Sequence, residues 1–234
     1  MKDRPRRTSG DPPRRGRPPS LTPEAIAVAV LEVGFPRLTF AAVRERLGVG
    51  ETTLYRHAPD RDELVRLGLD HAMAQIDWPS LDGPWRRVMT DYAITAWHAW
   101  EAYPGSATEA ARGIVPRGMM LLMDDLCAML MRQGFSATNA VLACDVVFDL
   151  VTDNRRGVEH FDAIVPGAGP GRAHLHRLWE VESAPDAPGE GASPAERDLI
   201  HGAIHAAITA APIDWFTGKL GVVLDGVERA LAPR

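Results

Sequence analysis

The residues best suited to chemistry lie in one short run. Between Gly50 and Ala58 the chain presents Glu51, Thr52, Thr53, Tyr55, Arg56 and His57, interrupted only by the apolar Leu54. Hydroxyls, a guanidinium and an imidazole on one short helix can meet base edges and phosphate oxygens in the major groove of double-stranded DNA. The same pattern also fits a solvated corner in any helical protein, so the flanking elements must decide. Other clusters carry less. His201 and His205 stand four apart, a spacing that can hold a metal, with His174 and His176 upstream. No neighbouring Cys or carboxylate completes a tetrahedron, and no metal is expected. A Gly-rich phosphate loop, a nucleophile elbow and a strand to mount them are all missing from the sequence pattern, so no catalytic residue and no cofactor are expected, and an enzyme is disfavoured.

The surrounding elements favour DNA. Phe40, Val43 and Leu47 form an apolar stripe on a first helix with Thr39 as its N-cap. Gly48 stands where the backbone needs positive φ, Val49 plugs the angle between the helices, and Leu54 anchors the second helix, so Thr39 to His57 reads as a helix-turn-helix. Upstream, Thr22-Pro-Glu opens a helix with Ile26, Val30 and Val33 inward, closed by Gly34. Downstream, Asp60 with Glu63 makes a capping-box-like start to a fourth helix bearing Leu64, Leu67, Ala72 and Ile76. The N-terminus of that helix, with Arg61, can hold a DNA phosphate. Residues 1 to 20 carry seven Lys/Arg against two acids, so the other 214 residues carry −10 of the net −5. This arm, rich in Pro, is expected to be disordered when free; Arg15 and Arg17 around Gly16 suit a narrow minor groove, and a generic basic tail is the open alternative.

The stretch from Gly48 through Leu54, Tyr55, Arg56 and His57 to Leu64 resembles the signature of the tetracycline-repressor (TetR) family of bacterial one-component regulators. In that family a Gly-Val turn, a Thr-Leu-Tyr core and a Lys-x-x-Leu helix start recur. Ala58 departs from the usual Phe and Arg61 from the usual Lys. The resemblance implies that Thr52, Thr53 and Arg56 approach bases, with Glu51 beside them, while Thr39, Tyr55, His57 and Arg61 approach phosphates. It also implies repression as the default, activation remaining open.

Beyond the Asp82-Gly-Pro84 turn the chain reads as helical throughout, with an apolar fraction of 45%. The expected fold class is all-α: a basic arm (1–20), an N-terminal three-helix helix-turn-helix domain (21–77) and a C-terminal helical ligand-binding and dimerisation domain (78–234). Within the last, Gly/Pro-rich residues 157–193 are expected to form a mobile loop, with one helical turn near Leu175 to Trp179. The helix from Trp85 to Tyr103 is apolar on nearly all sides and is expected at the centre. Trp97, His98, Trp100, Met119, Met123, Cys127 and Phe148 are expected to line a cavity for a small hydrophobic effector; plain core packing is the competing reading. The last helix, from Pro212 to Leu231, is similar to the final helix of tetracycline-repressor-like proteins. That resemblance implies a homodimer through helices near 136–155 and 213–231, and hence a pseudo-palindromic operator. The alternative is a dimeric DNA-binding regulator without an effector. Cys127 and Cys144 read as reduced thiols and no apolar run is long enough to span a membrane, so a cytoplasmic protein is expected.

Overall fold

The computed structural model describes residues 21–165, 169–182 and 191–233. Among them are eleven α-helices and one two-stranded ribbon. Helices α1 (Pro23–Val33), α2 (Phe40–Leu47), α3 (Glu51–Tyr55) and α4 (Arg61–Ala74) make up the N-terminal part, with a 3-10 turn at Phe35–Arg37. Their starts are written in the sequence: Thr22, Thr39 and Asp60 accept hydrogen bonds from the backbone N–H groups of Ala25, Ala42 and Glu63. Glu63 does not return to complete a box; it pairs with Arg66 instead. Ile26, Val30, Val43, Leu54, Leu64 and Leu69 fill a core that is closed to solvent. Gly48 ends α2 at φ 64°, and its N–H bonds back into that helix. Positive φ, expected from the sequence, is what turns the chain into α3.

The remaining helices are α5 (Trp85–Ala102), α6 (Ser106–Ala111), α7 (Arg117–Arg132), α8 (Ala137–Asp162), α9 (Gly171–Glu182), α10 (Pro194–Thr209) and α11 (Pro212–Ala230). The central helix is α8, not α5. It touches α5, α6, α7, α9 and α11, and buries Ala140, Ala143, Cys144, Val147, Phe148, Val151 and Val158. In α5 the buried face holds Val88, Met89, Tyr92, Ala93, Ala96, Trp97 and Trp100, while His98 and Glu101 stay in solvent. Long-range side-chain caps lock the helix ends. Gln133 accepts from the Trp85 N–H at 2.8 Å, and Asn139 donates to the Leu231 carbonyl at 2.8 Å.

Much of the expected loop is helical. The α8 helix runs through Gly157 to Asp162, and α9 follows a short antiparallel ribbon in which Ile164 pairs with Pro170 and Val165 with Gly169. Glycine and proline at the flanks obscured an amphipathic segment, because composition weighs helix breakers without seeing what they pack against. Ser193 and Glu196 form the expected capping box of α10. No residue of α10 is buried, and Leu199 stands 77% exposed.

Replacing Gly48 by Ala forces a side chain into the left-handed region. The expected cost is about 1 kcal/mol, read as a lower midpoint of chemical denaturation with unchanged helical circular dichroism.

Candidate nucleic-acid interface and effector groove

The short α3 helix exposes Glu51, Thr52, Thr53 and Tyr55, and Arg56 and His57 continue the exposed surface beyond its end. Leu54, 1% exposed, is the inward anchor, and Ala58 is fully buried beside it in sequence. The small side chain at 58 is thus sealed from solvent without the aromatic that the family pattern carries there. Tyr55 is held by stacking on Phe40, with ring centroids 4.6 Å apart and planes 13° from parallel. This contact fixes its ring while leaving it 45% exposed. Glu51 pairs with Arg44 across the turn at 3.4 Å. In so exposed a pair the chief effect is local neutralisation of the one acid on a face that would meet phosphate. Thr39 accepts the Ala42 N–H at 3.1 Å, and its hydroxyl hydrogen stays available for donation. Arg15 and Arg17 lie outside the described residues.

Arg61 has an internal partner that the sequence does not announce. Its guanidinium forms a two-pronged bond with Glu109 of α6, at 3.0 Å for one arm and 2.5 Å for the other, and its Nε lies 3.4 Å from the Leu38 carbonyl. Glu109 is only 6% exposed. A carboxylate so placed requires a cation, and Arg61, with Arg112 at 2.9 Å, supplies it. The start of α4 is likewise taken by the Asp60 side chain. This internal tie engages the guanidinium while leaving the Arg61 side chain 34% exposed. A second tie lies further along α4, where Asp70 accepts the Gly118 N–H at the start of α7, 2.8 Å away.

Gly105 sits between the two halves. Its φ is 85°, a Cβ there would fall 2.9 Å from Pro36, and its N–H donates to Glu159 Oε2 at 2.9 Å. Burial pushes the Glu159 carboxyl above its ordinary range, against the Gly105 N–H and the Arg155 charge. In Glu109 burial pushes the same way, but the hydrogen bonds and charges of Arg61 and Arg112 outweigh it and hold the group below its ordinary range.

The seven expected effector residues separate. Met119, Met123 and Phe148 line an open groove of about 830 Å³ between α6, α7 and α8, together with Ile114 and Met120. Trp97 and Trp100 are core residues outside its lining: Trp97 donates to Asn154 Oδ1 at 3.0 Å and lies under the Arg155 guanidinium, 4.7 Å from the ring centroid. Cys127 packs with its Sγ 3.8 Å from that of Cys144, both thiols free, and burial pushes the Cys144 thiol up. His98 is exposed and pairs with Glu101 at 3.3 Å; it belongs to the solvated side of α5, which helical periodicity alone would have shown. Asp145, Asp149 and Asp153, outside the expected lining, rim the groove. Their spacing relative to Phe148 and Thr152 was the available signal, since 145, 148, 149 and 152 share one helical face. His205 stacks edge-on with His176, and His201 lies against Trp179. Among the described residues no three His, Cys, Asp or Glu converge on a metal position.

Residues 24–67, which contain this interface, match the family described as bacterial regulatory proteins, tetR family. That match covers the N-terminal unit alone. The chain is 29% identical over 102 residues to the HTH-type transcriptional repressor DrrR1 of Streptomyces coeruleorubidus, a match spanning 41% of this chain and 38% of that repressor. Its fold is that of ActR from Streptomyces coelicolor: the apo structure gives a TM-score of 0.71 at 19% identity, covering 88% of this chain and 96% of ActR. ActR in complex with actinorhodin gives 0.73 at 18%, covering 92% and 98%. The matched family is one of bacterial regulatory proteins.

The two interhelical carboxylates act on stability with opposite signs. Glu109 has a lowered folded pKa, so its stabilisation is present above the unfolded value, about 4.3, and is lost as pH falls through the folded value. Glu159 has a raised one, so acidification through that value favours the folded state. Glu109→Gln is expected to cost about 2 kcal/mol at neutral pH, with the loss shrinking below about pH 4. Glu159→Gln is expected to leave stability equal or higher at neutral pH, with its advantage shrinking on acidification. Thermal melts across pH check both.

Proposed function

We propose that the chain is a ligand-responsive transcriptional regulator, a repressor that binds a pseudo-palindromic operator as a homodimer and is released by a small hydrophobic effector. The observation carrying this reading is the exposed face of α3. The side chains of Thr52, Thr53, Arg56 and His57 have no hydrogen-bond or ion-pair partner among the described residues, whereas most arginines of the C-terminal half are paired internally. Polar groups held on a rigid helix without partners are poised for base edges and phosphates. In this reading Thr52, Thr53 and Arg56 approach bases, and Thr39, Tyr55 and His57 approach the backbone, with Arg15 and Arg17 of the basic arm adding charge.

Dimerisation through α8 and α11 is supported by their uncovered sides. Val141, Leu142 and Val146 of α8 and Val222 of α11 are exposed, and a Cβ at Gly218, Gly221 or Gly226 would meet nothing within 4 Å. Apolar side chains beside small residues suit close packing against a second copy. The effector reading is supported by the Met-lined groove between α6, α7 and α8, whose thioethers adapt to varied shapes. It touches Ala110 and Ala111 of α6, the helix that holds Arg61 through Glu109. A ligand that favours one placement of α6 then biases α4 and the spacing of the recognition helices. DrrR1 is a transcriptional repressor and ActR was crystallised with actinorhodin; both agree with this reading. Among the described residues no helix is long and apolar enough to cross a membrane, in keeping with a cytoplasmic regulator.

Duplexes selected from a random pool provide the test. The full chain is expected to enrich a two-fold symmetric site; enrichment of none would overturn the reading. On that site Arg56→Ala is expected to weaken binding by about 1–3 kcal/mol and to relax preference at one position per half-site. Thr53→Ala is expected chiefly to blur sequence preference.

A further inference from the structure

Between residues 21 and 77 the chain holds six arginines and no lysine against nine acids. A unit so balanced attracts phosphate only where a cation is left uncompensated. Four of the six arginines are compensated. Arg44 pairs with Glu51, Arg46 with Glu32, Arg61 with Glu109 and Arg66 with Glu63. The side chains of Arg56 and Arg37 have no hydrogen bond or ion pair among the described residues. Arg56 follows directly on α3, on the face that would meet bases. Arg37 lies outside the recognition helix, on the turn that precedes α2.

Its position is more defined than that of an ordinary surface arginine. The turn at Phe35–Arg37 is closed by two backbone bonds, from the Arg37 N–H to the Gly34 carbonyl at 3.1 Å and from the Leu38 N–H to the Phe35 carbonyl at 3.2 Å. Phe35 and Leu38 are buried on either side, 2% and 4% exposed. The backbone that carries the guanidinium is therefore anchored at both ends while the side chain stays in solvent. The same corner holds groups that would face DNA. Thr39 caps α2 two residues later, Phe40 stacks on Tyr55 beyond the turn, and the Arg61 Nε lies 3.4 Å from the Leu38 carbonyl. Of the two cations that meet there, Arg61 is held by Glu109, and Arg37 by no acid among the described residues.

We propose that Arg37 is a phosphate-anchoring residue, bonding the DNA backbone beside the contacts of Thr39 and Tyr55 and so setting the register in which α3 meets the bases. The inference rests on the DNA-binding reading. A guanidinium donates to phosphate oxygens in pairs and displaces a counterion as it does so, which adds affinity and orientation without adding base preference.

The test uses the full chain and the duplex selected from the random pool. Arg37→Ala is expected to weaken binding about tenfold at low salt and to lower the slope of log affinity against log salt by about one per bound copy, on matched and mismatched duplexes alike. Arg37→Lys keeps the charge and is expected to restore the slope and most of the affinity. Both variants are expected to melt at the parent temperature, in contrast to Arg61→Ala, which strips a buried carboxylate of its partner and melts lower. Arg132→Ala, at the far end of α7, removes an equal charge and is expected to leave affinity and slope unchanged. Uncharged methylphosphonates placed one at a time along each strand locate the contact: one position per bound copy is expected to weaken the parent chain and to have no effect on Arg37→Ala. An unchanged salt slope in Arg37→Ala, an equal effect from Arg132→Ala, or the same methylphosphonate pattern in parent and variant would overturn the proposal and leave the DNA reading in place. A lowered melting temperature that Arg37→Lys does not restore would do the same. Failure of the parent chain to bind any duplex would overturn both.

Discussion

The arrangement depends on a carboxylate that cannot be left alone. Glu109 sits on α6 almost out of solvent, and it is tolerable there because Arg61 reaches across from the first turn of α4 with both arms. That bond fixes the distance between the DNA-reading unit and the rest of the molecule. Nine residues later on the same helix, Asp70 caps the start of α7. Two attachments about 13 Å apart along one rod leave α4 little freedom to tilt unless α6 or α7 moves as well. Gly105 adds a steric element, because its backbone lies against Phe35 and Pro36 while its N–H is held by Glu159 of α8. Mechanical connection between recognition helix and groove therefore passes through polar contacts with directional geometry, where a small displacement changes energy steeply, more than through the softer apolar packing around them.

The sequence is most legible where chemistry is local. Thr22, Thr39, Asp60, Ser136 and Ser193 announce the helix starts they cap, because each bond closes over three residues. The recognition face follows from Leu54 alone: once that side chain is inward, the helical repeat puts Thr52, Thr53 and Tyr55 outward. The same repeat misled where it was read without an orientation. An apolar α5 suggested burial all round, yet His98 falls on the face opposite Val88, Met89 and Ala96 and is wet. Partners 48 residues apart, such as Arg61 with Glu109 or Trp85 with Gln133, carry no local mark.

The C-terminal half shows charge sorted by location. Acids gather around the groove and cations around a second cavity beyond Asp153 and Arg156, so one ion pair divides two regions of opposite potential along α8. The protein's net charge conceals this division, as it conceals the basic arm. Helix α9, which contributes to the cavity wall, lies in the stretch that composition misread as loop. Gly171 is there for proximity, its α-carbon so close to the Phe161 carbonyl that a Cβ would fall 2.7 Å from it.

The caps have a consequence for how such a protein can change over generations. Helices α1, α2, α4, α8 and α10 each carry their starting point in a side chain outside the groove. Substitutions among Met119, Met120, Met123 and Phe148 can then reshape what the groove admits without sliding any helix out of register. On the reading proposed above, change in ligand preference is decoupled from inheritance of the scaffold, and a duplicated copy of this chain could acquire a new chemical signal while the geometry of α2 and α3 stays intact.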